Sequence, residues 1–165
     1  MTSPGDTEHP APGRWLLLLL FLAICSAVAV VGAVAAGDAG STYTSLRLPG
    51  WAPPGWLFGP VWTVLYATIA VAGWLIARTR RPGSRTALLW WSVQLLLNLA
   101  WTPLFFGAGQ YGLALVDILL LVTALIVTMV KFARLRTWAA VLLAPYLVWV
   151  AYASVLNWSI WSANT

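Results

Sequence analysis

The chain has 165 residues, of which 61% are hydrophobic and only 8% are charged, and its mean hydropathy is +0.85. A soluble domain carries roughly 25% charged residues, so this composition excludes a soluble globular protein and predicts a membrane protein. The formal net charge of +5 suggests nucleic-acid binding. However, the basic residues lie in separate short segments and do not form the single basic patch that such binding needs, so we expect no nucleic-acid partner.

Apolar runs of about 20 residues, the length that crosses a bilayer, recur along the chain. The predicted spans are residues 16–36, 58–77, 86–106, 111–130 and 138–160. The predicted fold class is therefore an all-α membrane protein, a five-transmembrane-helix bundle. We expect residues 1–14 to be a disordered cytoplasmic tail, because they offer nothing to bury, and residues 15–161 to be one membrane domain.

The first span resembles a secretory signal peptide in the small residues near its end. Its apolar run is longer than the 7–15 residues usual for a signal peptide, and the preceding tail is acidic apart from Arg14. We therefore interpret the first span as a retained transmembrane helix.

The longest predicted loop covers residues 37–57 and is rich in Gly, Ser, Thr and Pro. Only Arg47 lies on the side of this loop, whereas the other eight Lys and Arg residues fall on the opposite side of the predicted membrane. Cytoplasmic loops carry the excess of basic residues, so the N-terminus is predicted to be cytoplasmic. The long loop and the C-terminus are then outside, and residues 131–136 form a cytoplasmic loop.

Twelve tryptophans are the most distinctive feature of the composition. Tryptophan commonly forms belts at the two membrane interfaces. Nine lie near span ends and are predicted to belong to such belts: Trp15, Trp51, Trp56, Trp74, Trp90, Trp91, Trp138, Trp158 and Trp161. Trp101 and Trp149 lie deeper inside their spans, and Trp62 lies one turn inside. These depths favour the interpretation that the three rings line a pocket.

Helical spacing places further residues beside these rings. The stripes are Gln94, Asn98, Trp101 and Phe105 on the third span, Trp149, Ala153, Leu156 and Ile160 on the fifth, and Trp62 with Tyr66 on the second. Most of them lie in the outward half of the bundle, beneath the loop that carries Tyr43 and Pro53. The sequence therefore predicts an aromatic cavity there. The second and fourth spans begin in the same half, and their N-terminal N–H groups would favour an anionic ligand group.

Polar residues within the spans have two interpretations, a ligand contact or a hydrogen bond between helices. Asp117 is the only carboxylate inside a span, and the interhelical interpretation is favoured for it, as it is for Gln94 and Asn157. A third pattern consists of small residues, Ala29, Ala33 and Gly37, which predict a close helix contact within the chain or at a dimer seam.

Four segments together resemble one known family. They are residues 53–66 (PPGWLFGPVWTVLY), 94–107 (QLLLNLAWTPLFFG), 114–117 (ALVD) and 145–157, which begins with PYLVW and ends with LN. In this order they resemble the TspO/MBR family, the tryptophan-rich sensory proteins related to the mitochondrial translocator protein or peripheral benzodiazepine receptor. The resemblance extends from Tyr43 to Asn157.

The resemblance implies a five-helix bundle, usually a homodimer, in the bilayer, here a bacterial cell membrane. It implies ligands such as protoporphyrin IX, haem, sterols and synthetic isoquinoline carboxamides, no obligatory cofactor and no metal site. The function implied is that of a sensor or regulator of porphyrin metabolism or transport. The matched ligand-binding positions are Tyr43, Pro53, Phe58, Trp62, Asn98, Trp101, Trp149, Ala153 and Leu156, with Asp117 and Arg47 as further polar candidates.

One departure from the family concerns sterols. Animal members carry a C-terminal Leu/Val–Tyr–Lys/Arg pattern, but here Trp158 stands at the tyrosine position and no basic residue follows Arg136. Such patterns are weak predictors in any case. We therefore do not expect sterol binding on this ground.

Two other functions remain as alternatives. Transport of porphyrins or other small molecules ranks second, because one intramembrane carboxylate and no internal repeat give it little support. Catalysis ranks third: His9 is in the tail, Cys25 has no nearby histidine, and paired carboxylates and a buried axial haem ligand are lacking. Only light-dependent porphyrin breakdown remains, which in some bacterial members is linked to the residues matching Trp62 and Trp149.

Overall fold

The computed structural model describes residues 13–164, which form helices and no strand. The helices are α1 (Gly13–Ala35), α2 (Ala39–Ser45), α3 (Phe58–Ala77), α4 (Ser84–Thr102), α5 (Tyr111–Leu135), α6 (Thr137–Val141) and α7 (Ala144–Asn164). A 3₁₀ turn at Gly55–Leu57 leads into α3, and a π-helical turn at Pro103–Gly107 extends α4. Within residues 13–164, five helical segments are long and apolar enough to cross a bilayer, α6 and α7 together making the fifth. The predicted five-helix membrane fold is confirmed.

The helices extend beyond several predicted span ends. The predicted loop 131–136 is wrong, because α5 continues to Leu135 and only Arg136, with extended backbone, separates it from α6. Charged side chains mark where a helix leaves the apolar layer, but the backbone hydrogen bonds continue beyond that point. Similarly, α1 already includes the last two residues of the predicted tail, whereas residues 1–12 lie outside the described part of the chain.

The end of the bundle that carries residues 78–85 and 131–136 is here named the basic half. Its packing depends on Gly73 of α3, where a Cβ atom would stand 2.7 Å from the ring of Phe21 and 2.8 Å from the ring of Trp91. These two rings lie 5.0 Å apart, and the Trp91 indole N–H donates to the carbonyl of Ile69 at 3.0 Å. Glycine thus lets α1, α3 and α4 meet without a gap.

Trp91 corrects a prediction. Its position near a span end assigned it to the interfacial belt, but the side chain is 3% exposed and lies inside the basic half. The position of a residue along a span sets its depth in the membrane. The burial of its side chain depends instead on which face of α4 meets α1 and α3. Six belt tryptophans in the described residues are exposed as expected: Trp15, Trp51, Trp56, Trp138, Trp158 and Trp161.

The opposite end is here named the lid half, and residues 36–57 are named the lid. The sequence predicted an irregular loop here, but the lid contains α2 and the 3₁₀ turn. Asp38 caps α2, since its Oδ1 accepts a hydrogen bond from the Ser41 N–H at 3.1 Å. This bond lowers the pKa of the Asp38 carboxyl below its ordinary value.

Two contacts fasten the lid to α7. The side-chain amide of Asn164 accepts from the Arg47 N–H at 3.0 Å and donates to the Arg47 carbonyl at 3.3 Å. The Tyr152 hydroxyl donates to the Trp51 carbonyl at 3.1 Å, and the two rings meet edge to face. The last helix therefore holds both the middle and the end of the lid in place.

Candidate functional site

A cavity of about 690 Å³ lies beneath the lid, between α1, α3 and α4. Ligand pockets usually enclose about 300–1,000 Å³, so this volume suits a small-molecule ligand. The position follows from the fold, because α1, α3 and α4 meet together around Gly73 in the basic half. In the lid half α1 packs against α4 at Gly32 and parts from α3, and the lid covers the space between α1 and α3.

Aromatic rings form much of the cavity wall. Trp62 and Tyr66 lie one turn apart on α3 with their ring centroids 5.4 Å apart. Trp101 of α4 meets Phe106 of the π-helical turn edge to face at 5.9 Å, and both line the cavity. A guest in this cavity would find flat, apolar faces on two helices, which favours a planar apolar molecule.

Hydrogen bonds between helices fix these rings. The Tyr66 hydroxyl donates to Asn98 Oδ1 at 2.6 Å, joining α3 to α4. The Trp101 indole N–H donates to Asn157 Oδ1 at 3.0 Å, and Asn157 in turn donates to the Tyr111 carbonyl at 2.9 Å. The expected interhelical role of Asn157 is therefore present in the structure, and these bonds hold the rings of the cavity wall in place.

Five of the nine predicted ligand-binding residues line the cavity: Tyr43, Phe58, Trp62, Asn98 and Trp101. Two more, Trp149 and Ala153, line a much smaller space of about 20 Å³ that shares four of those residues. The Trp149 ring lies behind Phe58, with ring centroids 5.7 Å apart, and its buried indole nitrogen has no hydrogen-bond partner among residues 13–164.

The other two predicted residues, Pro53 and Leu156, line neither space but lie next to residues that form the site. The Pro53 carbonyl accepts a hydrogen bond from the Tyr43 hydroxyl at 2.9 Å, which fixes the lid ring above the cavity. Leu156 is 5% exposed and packs in a cluster with Tyr43 and Phe105. Side-chain burial raises the pKa of the Tyr43 hydroxyl, which therefore stays protonated and able to donate.

The polar candidates differ from expectation. Asp117 lies outside the cavity, and its buried Oδ2 has no hydrogen-bond partner within residues 13–164. Gln94 bonds within α4, to the Trp91 carbonyl at 2.8 Å, rather than to another helix. Arg47 is exposed and contacts α7 through its main chain, away from the cavity wall.

The N-termini of the second and fourth spans offer fewer free N–H groups to an anionic ligand in the cavity than the sequence predicted. The 3₁₀ turn before α3 uses N–H groups that would otherwise be free, since Leu57 donates to the Pro54 carbonyl and Phe58 to that of Gly55. The start of α5 at Tyr111 lies outside the cavity wall. Among the described residues, no three His, Cys, Asp or Glu side chains lie close enough together to hold a metal ion.

Comparison with known proteins settles the family. Residues 20–162 match the TspO/MBR family. The chain belongs to the TspO/MBR family. It is 39% identical over 150 residues to a tryptophan-rich sensory protein of Cereibacter sphaeroides, across 91% of this chain and 92% of that protein. The predicted family is thereby confirmed, and the chain is an integral multi-pass membrane protein.

Two further TspO/MBR relatives show how widely the similarity extends. The tryptophan-rich protein TspO of Chlorobaculum tepidum is 38% identical over 157 residues, covering 90% of this chain and 96% of the relative. The human translocator protein is 40% identical over 125 residues, covering 74% of each chain. The family match includes the lid as well as the helices, since the matched residues 20–162 contain residues 36–57.

Sequence reasoning missed the contribution of α1 to the cavity of this TspO/MBR protein. Ala29 and Ala33 line the cavity, whereas Gly37 lies beyond α1 with a φ of 55°. The glycine that makes a close helix contact is Gly32, which is buried against α4. The small residues of α1 were a real signal, but spacing alone did not distinguish a helix contact from a cavity wall.

Proposed function

We propose that this protein is a membrane receptor that binds a porphyrin, protoporphyrin IX or haem, in the cavity beneath the lid. It then acts as a sensor or regulator of porphyrin metabolism or transport. The observation that supports this most is the aromatic cavity of about 690 Å³ in a chain of the TspO/MBR family. The name of the Cereibacter sphaeroides relative, a tryptophan-rich sensory protein, is consistent with a sensory role.

A porphyrin combines a large flat apolar ring with two carboxylates at one edge. The ring would stack against Trp62 and Trp101, where apolar and aromatic surface dominates the wall. The carboxylates would point toward the lid, where the exposed main chain of Gly40 and Gly55 borders the cavity. This orientation keeps the charged groups at the wet end of the site and the ring within the apolar layer.

We further propose that the protein resides in a bacterial cell membrane with its N-terminus in the cytoplasm, and that it forms a homodimer. The basic residues support this orientation, because the loop 78–85 and the segment 131–136 occupy the end opposite the lid. The lid then faces outward, and the cavity lies in the outer half of the bilayer.

Titration of purified protein with protoporphyrin IX, followed by absorbance and tryptophan fluorescence, tests the proposal. Trp62→Ala is expected to weaken binding about tenfold, because a lost ring partner costs about 0.5–1.5 kcal/mol beyond the area it buries. Trp149→Ala is expected to have a smaller effect, since this ring lines the small neighbouring space.

The matched control is Trp158→Ala, which removes a 57% exposed tryptophan that lines neither space. This variant should bind like the unmodified protein. Equal affinity in the Trp62→Ala and unmodified proteins, with both folded, contradicts the proposed site. Equal losses in the Trp62→Ala and Trp158→Ala variants also contradict it, because they would indicate binding to exposed tryptophan.

A further inference from the structure

The cavity is closed on most of its sides by contacts between helices. On the bundle side, Tyr66 and Asn98 join α3 to α4, and Trp62 meets Tyr146 of α7 edge to face at 6.1 Å. On the lid side, Tyr43 lies over the space and is fixed to the Pro53 carbonyl. Toward the basic half, the tight packing around Gly73 ends the cavity.

The remaining side is the gap between α1 and α3. In the basic half these helices touch, but in the lid half α1 leaves α3 and crosses to α4. Gly32 of α1 faces Leu99 and Thr102 of α4, and a Cβ at Gly107 would stand 3.3 Å from the Ala35 carbonyl oxygen. The two helices thus diverge in the lid half, and residues of both line the cavity that lies between them.

Both edges of this gap carry small side chains that line the cavity and are exposed at the same time. On α1 they are Ser26 and Ala33, with the larger Val30 between them, and on α3 they are Gly59, Thr63 and Ala67. The three α3 residues follow the spacing i, i+4, i+8 and so form one continuous edge. Two facing rows of residues that line the cavity and also reach the outer surface, one row on each helix, mark the edges of an opening between those helices.

The surface around the opening is apolar and lies within the membrane spans. Ser26 and Ala33 fall in the span Trp15–Ala35, and the α3 edge falls in the span Gly55–Ala77. Beside these edges stand large exposed side chains, Val34 at 77% and Val64 at 62% exposure. In a membrane such side chains contact lipid, so the medium outside the opening is the bilayer.

We propose that the cavity opens sideways into the lid half of the bilayer, between α1 and α3, and that apolar ligand dissolved in the lipid enters and leaves through this opening. The small residues make the opening a slot that a planar molecule passes edge-on. The lid remains fastened to α7 by Asn164 and Tyr152 during the exchange. Only the identity of the guest rests on the proposed porphyrin function; the opening does not depend on it.

A kinetic experiment tests the route. Protein in nanodiscs is mixed with vesicles that carry protoporphyrin IX, and tryptophan quenching is followed in time. Ala33→Phe and Thr63→Phe, which put bulk at the two edges, should each slow both association and dissociation about tenfold. A narrowed slot raises the barrier in both directions, whereas a ring that only fills the cavity would speed dissociation.

The matched controls are Val34→Phe and Val64→Phe, which add the same ring at neighbouring positions that face lipid and do not line the cavity. Their rates should equal those of the unmodified protein. Unchanged rates in both edge variants overturn the proposal, and so does equal slowing in the two control variants.

A second experiment needs no porphyrin. With Cys25 replaced by alanine, a single cysteine at Thr63 is labelled with a small fluorophore, and a second sample carries the label at the exposed lid residue Thr44. Phospholipid brominated in its acyl chains should quench the Thr63 label, and aqueous iodide should quench the Thr44 label. Preferential iodide quenching at Thr63 overturns the proposal, because the opening would then face water.

Protection of the Thr63 label from both quenchers likewise overturns the proposal, since another surface, such as a second copy of the chain, would then cover the slot. If brominated lipid quenches the Thr63 label but the unmodified protein binds no porphyrin, the result supports the opening and contradicts the proposed porphyrin function. The two ideas therefore fail separately.

Discussion

The basic half and the lid half are built from the same helices but pack in opposite ways. In the basic half, Gly73 removes a side chain so that the rings of Phe21 and Trp91 fill the space between three helices. In the lid half, Trp62 and Trp101 stand at the helix interfaces and interhelical hydrogen bonds fix their neighbours. Aromatic rings therefore fill the space between helices in the basic half and line a cavity in the lid half.

The largest effect is expected for the residue that closes the basic half. Gly73→Ala places a Cβ within 3 Å of two rings, so we expect a loss of about 3 kcal/mol, the upper end of the usual range for overpacking. Thermal unfolding in detergent measures it. Gly59→Ala on the same helix is the control, because a Cβ there meets nothing within 4 Å. Equal stability of the two variants would show that close approach does not hold this half together.

The next effect concerns the bonds that keep the lid half open. Trp101→Phe keeps a ring but removes the N–H that Asn157 accepts, leaving a buried oxygen unpaired. The expected cost is about 1–2 kcal/mol of unfolding free energy together with weaker porphyrin binding. Trp158→Phe, at a 57% exposed position, should change neither quantity. A Trp101→Phe variant as stable as the parent contradicts the role given to this bond.

A smaller effect is expected at the fastening of the lid. Asn164→Ala removes both hydrogen bonds to the main chain of Arg47, which should cost about 1 kcal/mol and speed amide exchange at Arg47. Hydrogen exchange measured by mass spectrometry reports on this segment. Ser162→Ala provides the control, since its hydroxyl bonds only within α7, to the Ser159 carbonyl. Identical exchange in both variants would mean that α7 does not restrain the lid.

The smallest effect is a pH dependence at the cap of α2. The hydrogen bond from the Ser41 N–H lowers the folded-state pKa of Asp38, so the cap contributes fully above the unfolded value of about 3.9. Its contribution is lost as the pH falls through the folded-state pKa. The amide resonance of Ser41 should therefore titrate with a midpoint below about 3.9, and Asp38→Asn should abolish this titration while keeping the cap. A midpoint at or above that value contradicts the capping bond.

The sequence located several features because they depend on local patterns. The bounds predicted for the second span, 58–77, equal those of α3, since a proline-rich entry and a basic exit both mark helix ends. Depth within a span singled out Trp62, Trp101 and Trp149; the first two line the cavity, and Trp149 lines the small neighbouring space. Tyr43 and Phe58 came from the family resemblance, and they too lie in its wall; their part in ligand binding stays a prediction.

Other features required the tertiary structure. Trp91 was assigned to the belt because depth says nothing about which neighbour a face meets. The helix α2 was missed, although Asp38 followed by Ser41 is a capping signal, because seven residues without apolar periodicity resemble a loop. The α1 edge of the cavity was missed because small residues look alike whether they meet a helix or an empty space.

The sequence by itself determined that five helices cross a membrane and that deep aromatic rings gather in the half beneath the lid. Hydropathy and the helical period are properties of neighbouring residues, so they can be read without knowing the fold. Only the tertiary structure decided that α1 parts from α3 in that half, leaving a cavity with one open side. That outcome depends on where each pair of helices can approach, and the close approach at Gly73 involves Phe21 and Trp91, which lie far away in the chain.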